Sequence, residues 1–469
     1  MRVWQGIAIA AAGAVSAPVA LAAGEATFTG SGLSLAWDIP FAGLLLSLAV
    51  GPIVAAHFWH EHYGKITAAW TLALFLPFIV AFGLAEAWHQ VVHALLLEYL
   101  PFVMLLFALY TISGGIALRG TLVGTPKLNT GLLAIGAMLA SAMGTTGAAM
   151  LLIRPLLRAN ETRQRRTHIV VFFIILVGNI GGALTPLGDP PLFIGFLKGI
   201  DFFWPTRVMA LPTLVLSAAL LALFYVLDGW LWRREKPAQP AAYEPLAIDG
   251  AVNFTLLAGV VGAVLLSGVW KPEIAFEAAG TPVELQNAVR DVALVALALA
   301  SLALTPRAVR ESNAFSWEPI AEVAKLFAGI FLTIIPVIAM LHAGRDGELA
   351  AVVDLVNDQA SGQPKHVMYF WTTGVLSAFL DNAPTYLVFF NLAGGDPVAL
   401  MGPLKRTLTA ISAGAVYFGA LTYVGNAPNF MIKAIAEQRG VPMPSFFVYL
   451  GLASLILLPL FALLTLVYF

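Results

Sequence analysis

Gly182-Ala183-Leu184-Thr185-Pro186-Leu187-Gly188-Asp189-Pro190-Pro191-Leu192-Phe193 returns later in the chain as Gly419-Ala420-Leu421-Thr422-Tyr423-Val424-Gly425-Asn426-Ala427-Pro428-Asn429-Phe430. Seven of the twelve positions are identical, at an offset of 237 residues. A second pair, Ser141-Ala142-Met143-Gly144-Thr145-Thr146-Gly147 and Ser377-Ala378-Phe379-Leu380-Asp381-Asn382-Ala383, lies 236 residues apart. Two matches with nearly one spacing mark an internal repeat. The first motif also carries Gly181, Gly182, Pro186, Gly188, Pro190 and Pro191, too many breakers for a continuous helix. The helix has to unwind there, and its second copy, with Gly419, Gly425 and Pro428, repeats the break.

These breaks fall in a strongly apolar chain. Of 469 residues, 59% are apolar and only 11% are charged, against roughly 25% charged in an ordinary soluble domain. Runs long enough for a bilayer span, about 20 residues each, recur along almost the whole sequence. They are continuous rather than alternating, which excludes a transmembrane barrel. The fold class is therefore an all-α polytopic membrane protein of about 10–11 spans. A formal net charge of -1 and the lack of a basic tail exclude nucleic acid as a partner. With no cysteine there is no disulfide or thiolate site.

Hydropathy and breakers place spans near 40–59, 66–86 and 98–118, a paired segment 129–158, a broken helix 168–198 and a span 207–232. The same order follows with 252–270, 290–306, 319–343, a paired segment 366–395, a broken helix 404–435 and 444–469. If each paired segment is a re-entrant hairpin, the cytoplasmic side collects fourteen Lys/Arg, including Arg154, Arg158, Arg163 and Arg439, and the opposite side eight. That bias obeys the positive-inside rule, which a full crossing by either segment would break. Hairpin 129–158 then opens to the cytoplasm and hairpin 366–395 to the other side, so the halves are inverted. Repeat one covers 37–234, a cytoplasmic linker 235–251, and repeat two 252–469. Residues 1–23 read equally as a signal peptide ending at Ala20-Leu21-Ala22-Ala23 or as a first transmembrane helix.

Inverted repeats with interrupted helices are the architecture of secondary transporters, whose sites lie near mid-membrane where the repeats meet. Polar residues gather in these segments: Ser141, Thr145, Thr146, Asn179, Thr185 and Asp189 in one half, and Ser377, Asp381, Asn382, Thr385, Thr422, Asn426 and Asn429 in the other. A charge near the bilayer centre costs roughly 2.5–3.5 kcal/mol, so Asp189 and Asp381 need a reason to be there. Oxygen ligands of this kind suit Na⁺, and one carboxylate can hold either a proton or a cation. Both acids are read as proton and cation carriers, and the hydroxyls and amides as cation ligands. The structural alternative is that Asp189 caps the helix beginning at Pro190-Pro191 and that Thr and Asn satisfy freed backbone groups.

Elsewhere, His57, His60, Glu61 and His62 read as an interfacial cytoplasmic loop, His89 and His93 as an ordinary outer-side pair, and Glu322 and Lys325 as an ion pair one helical turn apart. Lys433 reads as snorkelling to the cytoplasm or pairing with Glu437. No zinc-protease, P-loop or nucleophile-elbow motif is present in a plausible context, so the chain reads as no enzyme and needs no cofactor beyond transported Na⁺ and H⁺. An ion channel usually builds its pore by symmetry between subunits, whereas repeats within one chain favour a carrier.

Gly178-Asn179-Ile180-Gly181-Gly182-Ala183 through Gly188-Asp189-Pro190-Pro191, with Phe379-Leu380-Asp381-Asn382-Ala383-Pro384, resembles bacterial sodium/proton antiporters of the ion-transporter superfamily. That group also holds citrate, dicarboxylate and arsenite carriers. The resemblance covers nearly all of 40–469. It implies a homodimer with a dimer-forming scaffold, a transport part moving like an elevator, the bacterial cytoplasmic (inner) membrane, and Na⁺ (or Li⁺)/H⁺ antiport. It also implies two cation regions: Ser141, Thr145, Thr146, Asn179 and Asp189, and Ser377, Asp381, Asn382, Thr385, Thr422 and Asn426. The family's dicarboxylate carriers read Ser-Asn-Thr at both hairpin tips. Here the tips read Gly144-Thr145-Thr146 and Asp381-Asn382-Ala383, and an acidic tip argues against an anion. Cation-coupled citrate transport is the alternative, because half-helix N-termini can hold an anion without arginine.

Overall fold

In the computed structural model, residues 28–235 and 243–469 are described. Segment 1–23 and the middle of linker 235–251 lie outside them. Nine helices among the described residues are long and apolar enough to cross a membrane, and the chain is an all-α polytopic membrane protein. The first half contains α1 (Ile39–Val54), α2 (Ala56–Phe82), α3 (Leu84–Ser113), α4 (Pro126–Met143), α5 (Thr145–Ala159), α6 (Thr167–Leu176), α7 (Pro190–Leu197) and α8 (Trp204–Glu235). The second contains α9 (Val252–Val269), α10 (Leu285–Leu304), α11 (Glu318–His342), α12 (His366–Leu380), α13 (Asn382–Leu392), α14 (Lys405–Phe418), α15 (Ala427–Gln438) and α16 (Phe446–Tyr468).

The two paired segments are hairpins. Asn129 and Asn160, at the open ends of α4 and α5, exchange side-chain hydrogen bonds of 2.9 and 2.8 Å. In the second, Tyr369 of α12 donates to the Leu392 carbonyl at the end of α13. At one end of the helix bundle the connecting segments meet: Arg166 donates to the Gly440 carbonyl at 3.0 Å and Thr167 to that of Pro442 at 2.8 Å. On the opposite side Lys198 pairs with Glu98 at 2.5 Å.

The helices sort into two bodies by what they pack against. α1, α2, α3, α9, α10 and α11 form a scaffold, and the hairpins, broken helices, α8 and α16 form a core. Two connections between these bodies are zipped together as an antiparallel ladder, β1 (Ala117–Arg119) on β2 (Ala247–Asp249), closed by the Arg119–Asp249 ion pair. Inside the core, Arg163 and Asp228 are buried at 2.6 Å from one another, with His168 at 2.8 Å from Asp228 and Glu235 at 3.3 Å from Arg163. Arg163, counted as a loop charge, is thus an internal clamp between the base of the first hairpin and α8.

Several boundaries differ from the sequence reading. His57, His60, Glu61 and His62 are not in a loop but in the first turns of α2, because the chain reverses within the single residue Ala55. The third span starts at Leu84, fourteen residues early, and keeps its direction through a wider π turn at Leu95–Tyr99. Glu322 and Lys325 do not pair: Lys325 reaches the hydroxyl of Tyr63 at 3.4 Å instead. Lys433 does pair with Glu437, at 2.8 Å.

Asp228→Ala would take its nearer carboxylate from buried Arg163 and leave it only Glu235 at 3.3 Å, a loss of up to about 3–5 kcal/mol for a broken buried pair. The thermal unfolding midpoint of the purified protein should fall clearly. Arg207→Ala, which breaks an exposed pair with Asp201, should leave it nearly unchanged.

Candidate functional site

The site is built where the two broken helices cross. After α6 the chain passes Asn179, makes one tight turn over Ile180–Leu184, extends at Thr185 and restarts as α7 behind Asp189. The second half repeats this with a turn at Gly419–Leu421, extension at Thr422 and restart behind Asn426. Glycine is required by close approach: a Cβ on Gly188 would lie 2.1 Å from the carbonyl oxygen of Gly182. Thr185 donates to the carbonyl of Ser141, and Thr422 to that of Ala378, so each unwound strand is braced on its own hairpin at equivalent places.

Those braces correct the repeat register. Ser141 pairs in the repeat with Ala378, not Ser377, and the hairpins share the 237-residue offset of the broken helices. The tips agree: Gly144 has φ 81° and ψ 149°, and Asp381 has φ 76° and ψ 145°. Equal backbone shape, not equal residue type, fixes the alignment. Asp381 therefore occupies a conformation that glycine fills in the other half and that L residues adopt at a cost of about 1–3 kcal/mol.

Asp189 stands at the N-cap of α7 but does not cap it. Pro190 and Pro191 have no N–H to offer, and the carboxylate turns across the molecule. Its Oδ2 accepts from the Asn382 amide at 2.6 Å, its Oδ1 from the Asn426 amide at 2.8 Å, and Thr145 lies 3.4 Å away. Asp189 is 2% exposed and its partners come from both hairpin tips and the opposite broken helix. The sequence reading that it serves as a simple cap does not describe this geometry.

Asp381 lines the same cavity of about 90 Å³, together with Thr145, Thr146, Asp189 and Asn426. Its carboxylate accepts a long 3.4 Å bond from the Ala383 amide and faces the backbone N–H of Asn382, while Thr385 donates to its carbonyl at 2.8 Å. The remaining candidates sit behind this layer. Ser141 donates to the Gly181 carbonyl at 2.5 Å, and Ser377 to that of Ala415 at 2.6 Å. Asn179 and Asn429 meet at 2.8 Å, and Asn429 also holds the carbonyls of Gly419 and Thr422. Asp189, Asp381, Thr145, Thr146 and Asn426 thus come together at the cavity, and Asn382 joins them through its bond to Asp189. Ser141, Asn179, Thr185, Ser377, Thr385, Thr422 and Asn429 hold the backbone around it.

The far wall belongs to the scaffold: Phe102, Leu105 and Leu109 of α3, and Ile320, Val323 and Phe327 of α11. These were invisible in the sequence, where an apolar wall facing a site looks like one facing lipid. None of the described lining residues is Lys, Arg or His.

Residues 30–469 match the protein family described as "Putative citrate transport". The chain belongs to that family. Among proteins similar to this transporter are Uncharacterized transporter Rv2684 of Mycobacterium tuberculosis and Uncharacterized transporter Mb2703 of Mycobacterium bovis. Each is 28% identical over 335 residues, which cover 68% of this chain and 72% of the relative. A multi-pass membrane protein with this membership and two interrupted helices is a secondary transporter of the citrate-transporter-like type.

Two substitutions separate shape from chemistry in this transporter. Asp381→Gly relieves the backbone at the tip and should stabilise the protein by about 1–3 kcal/mol in thermal unfolding, while lowering transport at least tenfold. Gly188→Ala drives the unwound segment off the Gly182 backbone it folds against and should abolish transport, whereas Gly131→Ala, on an open helix face, should retain it.

Proposed function

We propose that the transporter exchanges Na⁺ or Li⁺ for H⁺ across the cytoplasmic membrane by alternating access of the elevator type. Asp189 and Asp381 are its shared proton and cation carriers. The observation that carries this reading is a pair of buried carboxylates on one cavity with no basic residue among its described lining. Each acid is surrounded by neutral donors, so its charge can be balanced only by what enters: a proton or a cation. Thr145 and Thr146 offer hydroxyl oxygens beside the carboxylates, and Asn382 and Asn426 carry amide oxygens besides the NH2 groups that face Asp189, a hard-ligand set suited to Na⁺. The split into scaffold and core supports the elevator motion, since the cavity lies on the boundary of the two bodies.

A second reading is cation-coupled citrate transport. The family's description favours it, and so does the first turn of α5, whose residues Thr145, Thr146 and Gly147 face the cavity. A helix N-terminus carries a partial positive charge that attracts carboxylates.

Proteoliposomes under an imposed pH gradient separate the two, with ²²Na⁺ and labelled citrate as tracers. The antiport reading expects Na⁺ flux against H⁺ without citrate, reduced at least tenfold in Asp189→Asn and in Asp381→Asn. Citrate accumulation with no Na⁺/H⁺ exchange, or wild-type exchange in both variants, would sink it.

A further inference from the structure

One face of α5 runs from the cavity toward the cytoplasm through Thr146, Met150, Arg154 and Arg158, each four residues from the next. Thr146 lines the cavity. Met150 packs with Tyr110 of α3 and Ile320 of α11, with Met431 of α15 against them, and closes an apolar collar below the acids. One turn further down, Arg154 is only 8% exposed, and its Nη1 is enclosed with no hydrogen-bond partner among the described residues. Arg158 and Arg439 stand near enough to Arg154 for their charges to repel it, and Arg439 repels Arg158 as well. None of the three belongs to an ion pair among the described residues.

Guanidinium groups stay protonated in proteins, so three like charges here need an external counter-charge. The positive-inside bias accounts for exposed Arg158 and Arg439. It does not account for Arg154, which is buried inside a helix. Nor does the hairpin architecture demand it. At the repeat-equivalent position the second half has Asn391, neutral and fully engaged with His342 at 3.0 Å and the Leu387 carbonyl at 2.8 Å. Arg158 is already oriented, donating one Nη2 hydrogen bond of 2.6 Å to the Leu118 carbonyl.

We propose that Arg154, Arg158 and Arg439 form a cytoplasmic binding site for an oxyanion of phosphate type, either free in solution or as the headgroup of an anionic phospholipid. Planar guanidinium forks match phosphate oxygens in pairs, and a buried Arg beneath two exposed ones gives the depth that a surface patch lacks. Basic pockets between helices on the cytoplasmic side are also where anionic headgroups dock. Because α5 and α15 come from opposite halves, an occupant would tie the first hairpin to the second broken helix beneath the collar. The site is independent of which cargo the acids above it carry.

The chain has no cysteine, so Gln438→Cys, beside Arg439, can carry one environment-sensitive fluorophore on the full-length protein in nanodiscs. Titration with inorganic phosphate in phosphatidylcholine nanodiscs should give a saturable signal. Its Kd should rise at least tenfold in Arg154→Gln and in the Arg158→Gln/Arg439→Gln double variant, whose exposed positions guard against misfolding. Asp189→Asn should leave the Kd unchanged, which separates this site from the ion site. If headgroups are the natural source, adding phosphatidylglycerol should shift the fluorescence by itself and weaken the apparent phosphate affinity. If free phosphate is the source, added phosphatidylglycerol should change neither. No saturable response to phosphate and no arginine-dependent shift with phosphatidylglycerol, or equal responses in wild type and both arginine variants, would overturn the proposal.

Discussion

A helix that unwinds at membrane depth releases amides and carbonyls that lipid cannot satisfy, and every such group must find a partner within the protein. Here each interrupted helix finds partners in the other half. Asn426 holds the Gly178 carbonyl at 3.0 Å as well as Asp189, and Asn179 reaches Asn429. The network that makes two breaks tolerable is therefore the network that defines the site. Each unwound strand is thus held both by its own hairpin and by the opposite half. Asp189 is the one ionisable member of that clasp, so whatever neutralises it acts at the joint between the repeats.

How far this was legible in sequence depends on what each residue answers to. Gly188 and Gly425, and Thr185 and Thr422, are dictated by backbone geometry that both halves share, so they recur in type and expose the repeat. The hairpins were legible as paired apolar segments, and the sides expected for them rest on the loop-charge bias. The tip register was not. Ser141 and Ser377 look equivalent by type, while Gly144 and Asp381 are equivalent only in backbone shape. Nor could the partner of Asp189 be read: Asn382 lies 193 residues away, and no local pattern encodes a contact between the two repeats. The buried Arg154 was counted as a loop charge for a similar reason, since its depth depends on how α5 packs against α15 and not on its neighbours in sequence.

The two halves share a skeleton but not a chemistry. The repeat-equivalent of Asp189 is Asn426 and that of Asp381 is Gly144, so each half contributes one acid, at a different position. Had both copies kept the same acid, the pseudo-symmetry would have produced two related sites on opposite faces of the crossing. Divergence at these positions instead puts both carboxylates on one cavity. Under the proposed exchange, one site shared by the two acids makes proton and cation exclude one another.

Under the proposed exchange, the apolar scaffold wall gives that competition its direction. An uncompensated carboxylate sliding past Phe102, Leu105, Leu109 and Phe327 meets surroundings much like lipid, where a charge costs roughly 2.5–3.5 kcal/mol. Two bare acids would pay this twice, so the empty, ionised core is the form least able to cross. Protonated or cation-loaded forms carry less charge and cross more readily. In the exchange reading, that difference is what couples the two fluxes: the core returns only when it is carrying something. Polar residues lining α3 and α11 would lower the barrier for the empty form and turn exchange into leak, which gives a physical reason for a wall without a single charged side chain on those helices facing the acids.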